Sequence, residues 1–328
     1  MKFDIAQQPF VPAFLTLAVL VVAAVCRGDM AVVASSADPC AVWLPAQALA
    51  SFQAAFPGWA KAICGVLLLT TGIRTGHFAV RYNLYSVNTC IAIPFYGVIA
   101  CGIAAGQVDL LACTCSLLLA FSLSNFCRSF TSNYAFDIIF RASLYLSIAL
   151  LLVPQAAPLL LLLPLAIVHF HRTGRETIVA FAGLLLVPLA LCYLNWSLGQ
   201  PFFAPLVAWS GQIIESDAFF AFFGQIPLSS RILLGATLLC LVIGIGFLLS
   251  SRLSVNSKPR IILYYNIEVL LLAAAALCLP GASLPLFALA AVPGAVLLPV
   301  FFVCAYRSIV RTVYVLLLAG ALMNLFLQ

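Results

Sequence analysis

Residues able to do acid–base or phosphate chemistry are scarce in this chain, which has nine Asp and Glu among 328 residues. They fall into two groups. Asp29 and Asp38 lie in one polar segment, 27–56, and Glu215 and Asp217 in another, 196–231, with Arg27 and Arg231 at their edges. Such carboxylates are candidates for a general base or a cation site, and the two arginines for contacts to a donor phosphate. The second group sits inside apolar sequence. In "RIILYYNIEVLLLAAAALCLP" (Arg260 to Pro280), Glu268 is preceded one helical turn earlier by Tyr264. In "SNYAFDIIFRASLYLSIALLLV", Asp137 and Arg141 are four residues apart and Tyr145 continues their face.

A carboxylate in hydrocarbon is costly unless paired, protonated or opened to water. Glu268 therefore faces the interior of the protein, and its expected partners are Arg128, Arg141, Arg307 or His77. A structural ion pair, a proton- or cation-coupled role and snorkelling to the surface are the three readings. For Asp137 and Arg141 a local pair comes first and a substrate contact second. His169, His171, Arg172 and Arg175 in "HFHRTGRET" have the wrong spacing and too few neighbouring ligands for zinc. They read as a tight turn broken by Gly174, with a headgroup phosphate as the other reading. No metal and no cofactor is expected, because the chain has no Walker loop, dinucleotide fingerprint, zinc-protease motif or CxxC pair.

The elements that must carry these residues follow from composition. Hydrophobic residues make up 65% of the chain and charged residues 7%, against about 25% charged in a soluble domain. Long continuous apolar runs without alternation point to helices rather than barrel strands. The expected fold is all-α, a single polytopic membrane domain over 1–328. Eleven spans are expected, at 10–26, 57–73, 89–106, 109–126, 138–153, 155–171, 177–195, 232–250, 261–280, 283–304 and 309–326.

Connections sort by charge. One set holds Lys2; Arg74, His77 and Arg81; Arg128; His169 to Arg175; Arg252, Lys258 and Arg260; Arg307 and Arg311. The other holds Asp29, Asp38, Asp109, Glu215 and Asp217. The excess of Lys and Arg on cytoplasmic loops puts the N-terminus inside and the C-terminus outside. The net charge of +6 then belongs to a rim that meets lipid headgroups, and nucleic acid is not an expected partner. The first apolar segment reads as a retained anchor rather than a signal peptide. Cys26 and Cys40 are the one cysteine pair placed for a disulfide; most other cysteines lie in apolar runs as small hydrophobes.

The two longer outward segments have their own patterns. "WLPAQALASFQAAFPGW" sets Leu49, Phe52 and Phe56 on one stripe, with Gln47, Ser51 and Gln53 off it, the signature of a short amphipathic helix at the outer interface. "QPFFAPLVAWSGQIIESDAFFAFFGQIPLSSR" is too aromatic to stand free in water and should lie back on the protein. In "LPLFALAAVPGAVLLPVFF", Pro293, Gly294 and Pro299 suggest a broken helix of the kind that lines transporter cavities.

At "RYNLYSVNT", "NYAFDIIFRASLYLS", "GRETIVAFAGLLLVP" and "AVPGAVLLPVFFVCAYRS" the chain resembles a group of polytopic inner-membrane proteins of Bacteroidota that has no assigned activity. The resemblance implies a bacterial inner-membrane location and no catalytic residue. Three functions fit these observations. The first is a membrane-embedded component of envelope glycan or lipid-linked saccharide assembly, a glycosyltransferase, polymerase or ligase using a polyprenyl-linked saccharide at the outer face. The second is a lipid or small-solute transporter or flippase, with Glu268, Asp137 and Arg141 near the path. The third is a non-catalytic scaffold bound to other envelope proteins.

Overall fold

A computed structural model describes residues 8–28, 44–104, 106–129, 135–214, 223–224, 226–250 and 257–326. The described residues form a helical bundle. Its α-helices are α1 (Phe10–Arg27), α2 (Pro45–Ala55), α3 (Pro57–Arg81), α4 (Ala92–Gly97), α5 (Leu110–Ser129), α6 (Phe136–Leu152), α7 (Leu162–His169), α8 (Gly174–Ser197), α9 (Ala204–Ile214), α10 (Leu228–Leu249), α11 (Ser257–Cys278), α12 (Phe287–Cys304) and α13 (Arg307–Phe326). Helix α4 runs on as a π-helix (Val98–Ile103), and a 3-10 helix (Pro154–Leu161) leads into α7. Each stretch expected to span is helical, and eight of the helices are long and apolar enough to cross a membrane. The stretches at 89–106, 138–153 and 155–171 form shorter or broken helices.

Helix α12 is the central post. It is apolar on every side, and a helix of that kind belongs in the interior of its bundle. Residues 287–302 are all buried, enclosed by α3, α4, α5, α10, α11 and the π-helix. The break expected at Pro293 does not occur: α12 is one helix with Pro293 and Pro299 inside it. Proline deletes one ladder bond and crowds the carbonyl four residues back. Near Pro299 the loosened turn is tied from outside, where the Tyr85 hydroxyl donates to Val296 O at 2.6 Å. Phe95, Phe301, Phe302 and Tyr314 stack around that end, with the Phe95 and Phe302 centroids 4.6 Å apart.

Outward faces of the peripheral helices are apolar. Ile178, Leu185, Leu189, Ile232, Leu239 and Val242 of α8 and α10 are exposed, a belt far too greasy for water and suited to acyl chains. The chain is a membrane protein.

The two ends of the bundle carry different polar contacts among the described residues, and four of the five carboxylates expected at the first end, Asp29, Asp38, Glu215 and Asp217, lie outside them. At one end Lys61 Nζ donates to Gly28 O at 2.6 Å and the Arg27 guanidinium lies 4.6 Å over the Phe326 ring. Gly28 also meets Gly106 there, so closely that a Cβ on Gly28 would fall 1.7 Å from Gly106 O. At the other end Cys90 N donates to Gln8 O and Tyr314 to Gln8 Oε1, while Arg74 and Tyr82 reach Ser124. Arg81, Arg128, His169 and Arg260 belong to this second, basic end. Helix α3 is longer than the 57–73 span expected for it. Its 25 residues extend about 37 Å at 1.5 Å each, which carries Arg74 and His77 into its last turns instead of a loop.

Candidate functional site

Glu268 is held by His169. The 3-10 helix and α7 form one continuous helical prop beside α11, and α7 ends on His169, whose Nε2 lies 2.7 Å from Glu268 Oε1. None of the four expected partners takes that position. The reason is geometric: α7 is only eight residues long, so its C-terminal residue stops at the depth of Glu268 instead of projecting into a loop. Both side chains are about 30% exposed, and Glu268 Oε2 is buried with no hydrogen-bond partner. Tyr265, rather than Tyr264, borders the pair; its ring lies 6.3 Å from His169 and 5.1 Å from Phe170, and its hydroxyl donates to Leu162 O. Tyr264 instead lies under the Arg260 guanidinium at 5.9 Å.

The arrangement can do one kind of chemistry without help. A carboxylate and an imidazole in contact share a proton, and the free Oε2 can take another bond. Such intramembrane pairs serve as proton relays in pumps and transporters.

After α7 the turn also departs from expectation. The breaker is His171, with φ +49°, and Gly174 is the first residue of α8. The start of α8 is set by a capping box: Thr173 Oγ1 accepts from Glu176 N, and Glu176 Oε2 accepts from Thr173 N at 3.1 Å. The Thr-x-x-Glu pattern in the sequence signals this. Arg172 Nη1 reaches Glu176 Oε1 at 3.4 Å, both side chains being buried.

Asp137 and Arg141 do form their local pair, with Nη2 3.0 Å from Oδ2. They are about two-thirds exposed on the outside of α6, so they pair with each other at the surface and line no interior path. Asp137 also sits in the first turn of α6, where the helix dipole favours a negative charge.

The four candidate acids of the outward segments, Asp29, Asp38, Glu215 and Asp217, lie outside the described residues, as does Cys40; Cys26 is exposed. Their two arginines are described. Arg231 Nε donates to Ile226 O at 2.8 Å and its Nη2 to Gly224 O at 3.0 Å, fastening the chain that enters α10. Arg27 Nη1 donates to Phe326 O at 3.4 Å. Ser229, two residues before Arg231, bonds Asn324 of the same last turns of α13.

Around that end the amphipathic helix and the aromatic segment occupy defined places. α2 forms as expected, but Gln53 is buried and turned inward, accepting from Leu110 N at 3.0 Å to cap α5. Of the aromatic segment, α9 lies back on the bundle, where Trp209 Nε1 donates to Leu150 O at 2.9 Å, and residues 215–222 lie outside the described residues. Asp109, 7% exposed, is the N-terminal cap of α5, accepting from Ala112 N at 3.1 Å. Its Oδ1 has no partner, and it lines a cavity of about 10 Å³, the size of one water. Burial pushes its carboxyl above the usual range, against the opposing pull of the helix N–H groups. A raised acid stabilises the fold fully below its unfolded value and loses that contribution as pH rises through the folded value. Asp109→Asn is therefore expected to raise the unfolding temperature at neutral pH, with the gap to wild type closing on acidification. A variant less stable than wild type at neutral pH would contradict this.

The residue that sequence reasoning missed entirely is Asn324, 1% exposed near the end of α13. Its Nδ2 donates to Gly102 O of the π-helix at 2.6 Å and to Ser230 Oγ at 2.7 Å, and its Oδ1 accepts from Ser229. The signal was a lone Asn in apolar sequence.

No family model, curated protein or solved structure matches the chain.

Proposed function

We propose that this membrane protein moves a lipid or small solute in exchange for, or together with, protons, and that the His169–Glu268 pair carries the proton. The observation behind this reading is the contact itself: a carboxylate gripped from a second helix at 2.7 Å, with its other oxygen buried and unbonded. A purely structural pair would satisfy both oxygens, because an unpaired buried acceptor costs free energy. The prop beside it is made of 3-10 and short α-helix, and a broken helix can shift where a full span cannot.

The test uses the full chain in liposomes holding a pH-sensitive dye, with fractionated membrane lipids and cell solutes added in turn. One fraction is expected to collapse an imposed pH gradient through wild type and not through Glu268→Gln. If no fraction distinguishes the two proteins, proton coupling at this pair is wrong.

Envelope glycan assembly is the second reading, with a specific observation in its favour. Arg27 bonds the carbonyl of Phe326 in the last turn of α13, and Arg231 fastens the start of α10, which Ser229 ties to Asn324; in sequence Asp29 and Asp38 follow Arg27, and Glu215 and Asp217 precede Arg231. In this case a polyprenyl-linked saccharide is the substrate, one acid the base, and the outer face of a bacterial inner membrane the place. Amide replacement of each acid in turn would then abolish glycan transfer by a folded protein. Full transfer by all four variants eliminates this reading.

A further inference from the structure

Between α1, α12, the end of the π-helix and the start of α5 lies the cavity of about 10 Å³ that Asp109 lines, and we propose that it binds a sodium ion held by Asp109. The proposal uses no residue of the proton reading at Glu268 and needs no transport.

Asp109 reaches the cavity by a short path. The π-helix ends at Ile103, Gly106 turns the chain in the left-handed region at φ +76°, and α5 begins at Leu110. Asp109 caps α5 through Oδ2, which accepts from Ala112 N at 3.1 Å. The Gln53 side chain lies beside the carboxyl and takes the next donor, its Oε1 accepting from Leu110 N at 3.0 Å. Oδ1 is left over. It is buried without a hydrogen-bond partner, on a residue 7% exposed. A capping aspartate at a helix surface gives its second oxygen to water, and here that oxygen is out of reach of bulk solvent. An unpaired acceptor of this kind is costly.

Two negative groups meet at this cavity. A helix C-terminus presents carbonyls and about half an elementary negative charge, and Cys101, in the last turn of the π-helix, lines the cavity together with Gly106 and Gln107. Carbonyl ends of broken helices are where membrane transporters hold sodium. Ala92–Ile103 is such a piece, apolar, shorter than a span and buried over its last turn. The cations of the flanking elements are engaged elsewhere: Lys61 donates to Gly28 O, Arg27 to Phe326 O, and Arg231 to the carbonyls of Ile226 and Gly224. Among the described residues no ion pair includes Asp109. Residues 29–43 and 215–222 contain no Lys, Arg or His, so neither segment supplies one.

The donor set selects the cation. One carboxylate with neutral carbonyls suits a single hard charge, whereas calcium draws on several carboxylates. Cys113 also borders the cavity, yet among the described residues no three His, Cys, Asp or Glu side chains converge as a metal site. Size then selects within the alkali series. The cavity has the room of one water, and a bare sodium ion is smaller than water whereas potassium is nearly as large. A water would donate to Oδ1 without supplying charge, and a proton would neutralise the acid without using the carbonyls; the test separates both from sodium.

The full chain, purified in maltoside micelles, is unfolded thermally in sodium, potassium or choline chloride of equal ionic strength at a mildly alkaline pH that favours the ionised acid, and retention of radioactive sodium is measured in parallel. Sodium tenfold above its dissociation constant should raise the wild-type unfolding temperature by about 2 °C over choline, with a smaller rise in potassium. Asp109→Asn should show neither the rise nor the bound sodium, and Asp137→Asn, at the exposed pair on α6, should keep both. In choline Asp109→Asn remains the more stable protein, and sodium narrows its lead. Asp109→Ser, which keeps a helix cap and removes the charge, replaces Asp109→Asn if that variant does not fold. Equal unfolding of wild type in sodium and choline with no sodium retained would mean water or a proton in the cavity and would overturn the proposal. So would an equal rise in potassium, or a sodium effect that survives in Asp109→Asn. Glu268→Gln should bind sodium as wild type does, so failure of the proton reading and failure of this site are told apart.

Discussion

His169→Ala is expected to lower stability by about 2 kcal/mol, the loss of a hydrogen bond to a charged group. Without the imidazole, Glu268 keeps neither of its oxygens bonded to protein, and with only 30% of the side chain exposed water can restore part of the bond at most. Removing both partners is a different matter. A matched apolar pair avoids burying any charge, so His169→Leu with Glu268→Leu should recover most of the loss. The difference between this double variant and the sum of the His169→Leu and Glu268→Leu singles then isolates the contact. Unfolding by graded denaturing detergent measures wild type, His169→Ala, the two leucine singles and the double. His169→Ala within about 0.5 kcal/mol of wild type, the range of an ordinary surface change, would mean that the two side chains do not engage. The cycle bears on function too: a double variant that is stable yet fails in the proton assay separates coupling from support.

Asn324→Leu should be at least as damaging, with a loss of about 2 kcal/mol or more from three interhelical bonds at the roughly 0.6 kcal/mol typical inside membranes. The arrangement leaves little room for relief. Gly102 O accepts from Asn324, and a Cβ on Gly102 would come within 2.7 Å of the Ala321 Cβ, so α13 cannot shift inward to close a gap. A π-helix carries one residue more per bond than an α-helix, and each such bulge needs outside support. Asn324→Asp should be worse than Leu, since it sets an acceptor against the Gly102 carbonyl in a site 1% exposed. Hydrogen exchange supplies the local readout: amides of Val98–Ile103 should exchange faster in both variants. Unaltered exchange there, with wild-type stability, would show that Asn324 does not hold the π-helix.

Much of this architecture is legible from residue pattern alone. Apolar runs locate each of the long helices, because in lipid an apolar stretch has to satisfy its own backbone. The pairing of Asp137 with Arg141 is equally local, since four residues on a helix bring side chains together whatever surrounds them. By contrast, Pro293 misleads. Proline weakens a helix in isolation, but α12 is packed on all sides, and those contacts outweigh one missing bond.

The candidate site was visible only by half. Glu268 stands out in its sequence as a carboxylate in apolar surroundings, whereas its partner is 99 residues away in a stretch that reads as a turn. Helix length decided the pairing: α7 is short, following a 3-10 stretch that holds Pro154 and Pro158, and its end meets α11 at Glu268. Arg74 meets Ser124 for a related reason, since α3 outruns its apolar stretch and delivers the guanidinium to α5.

What the sequence determined by itself is the solvent of this protein and the placing of its long apolar helices, consequences of backbone and side-chain transfer into lipid acting residue by residue. Only the tertiary structure decided which polar groups meet. His169 with Glu268, Asn324 with Gly102 and Arg74 with Ser124 are contacts between helices remote in sequence, and their partners are fixed by where each helix starts, stops and is held against its neighbours.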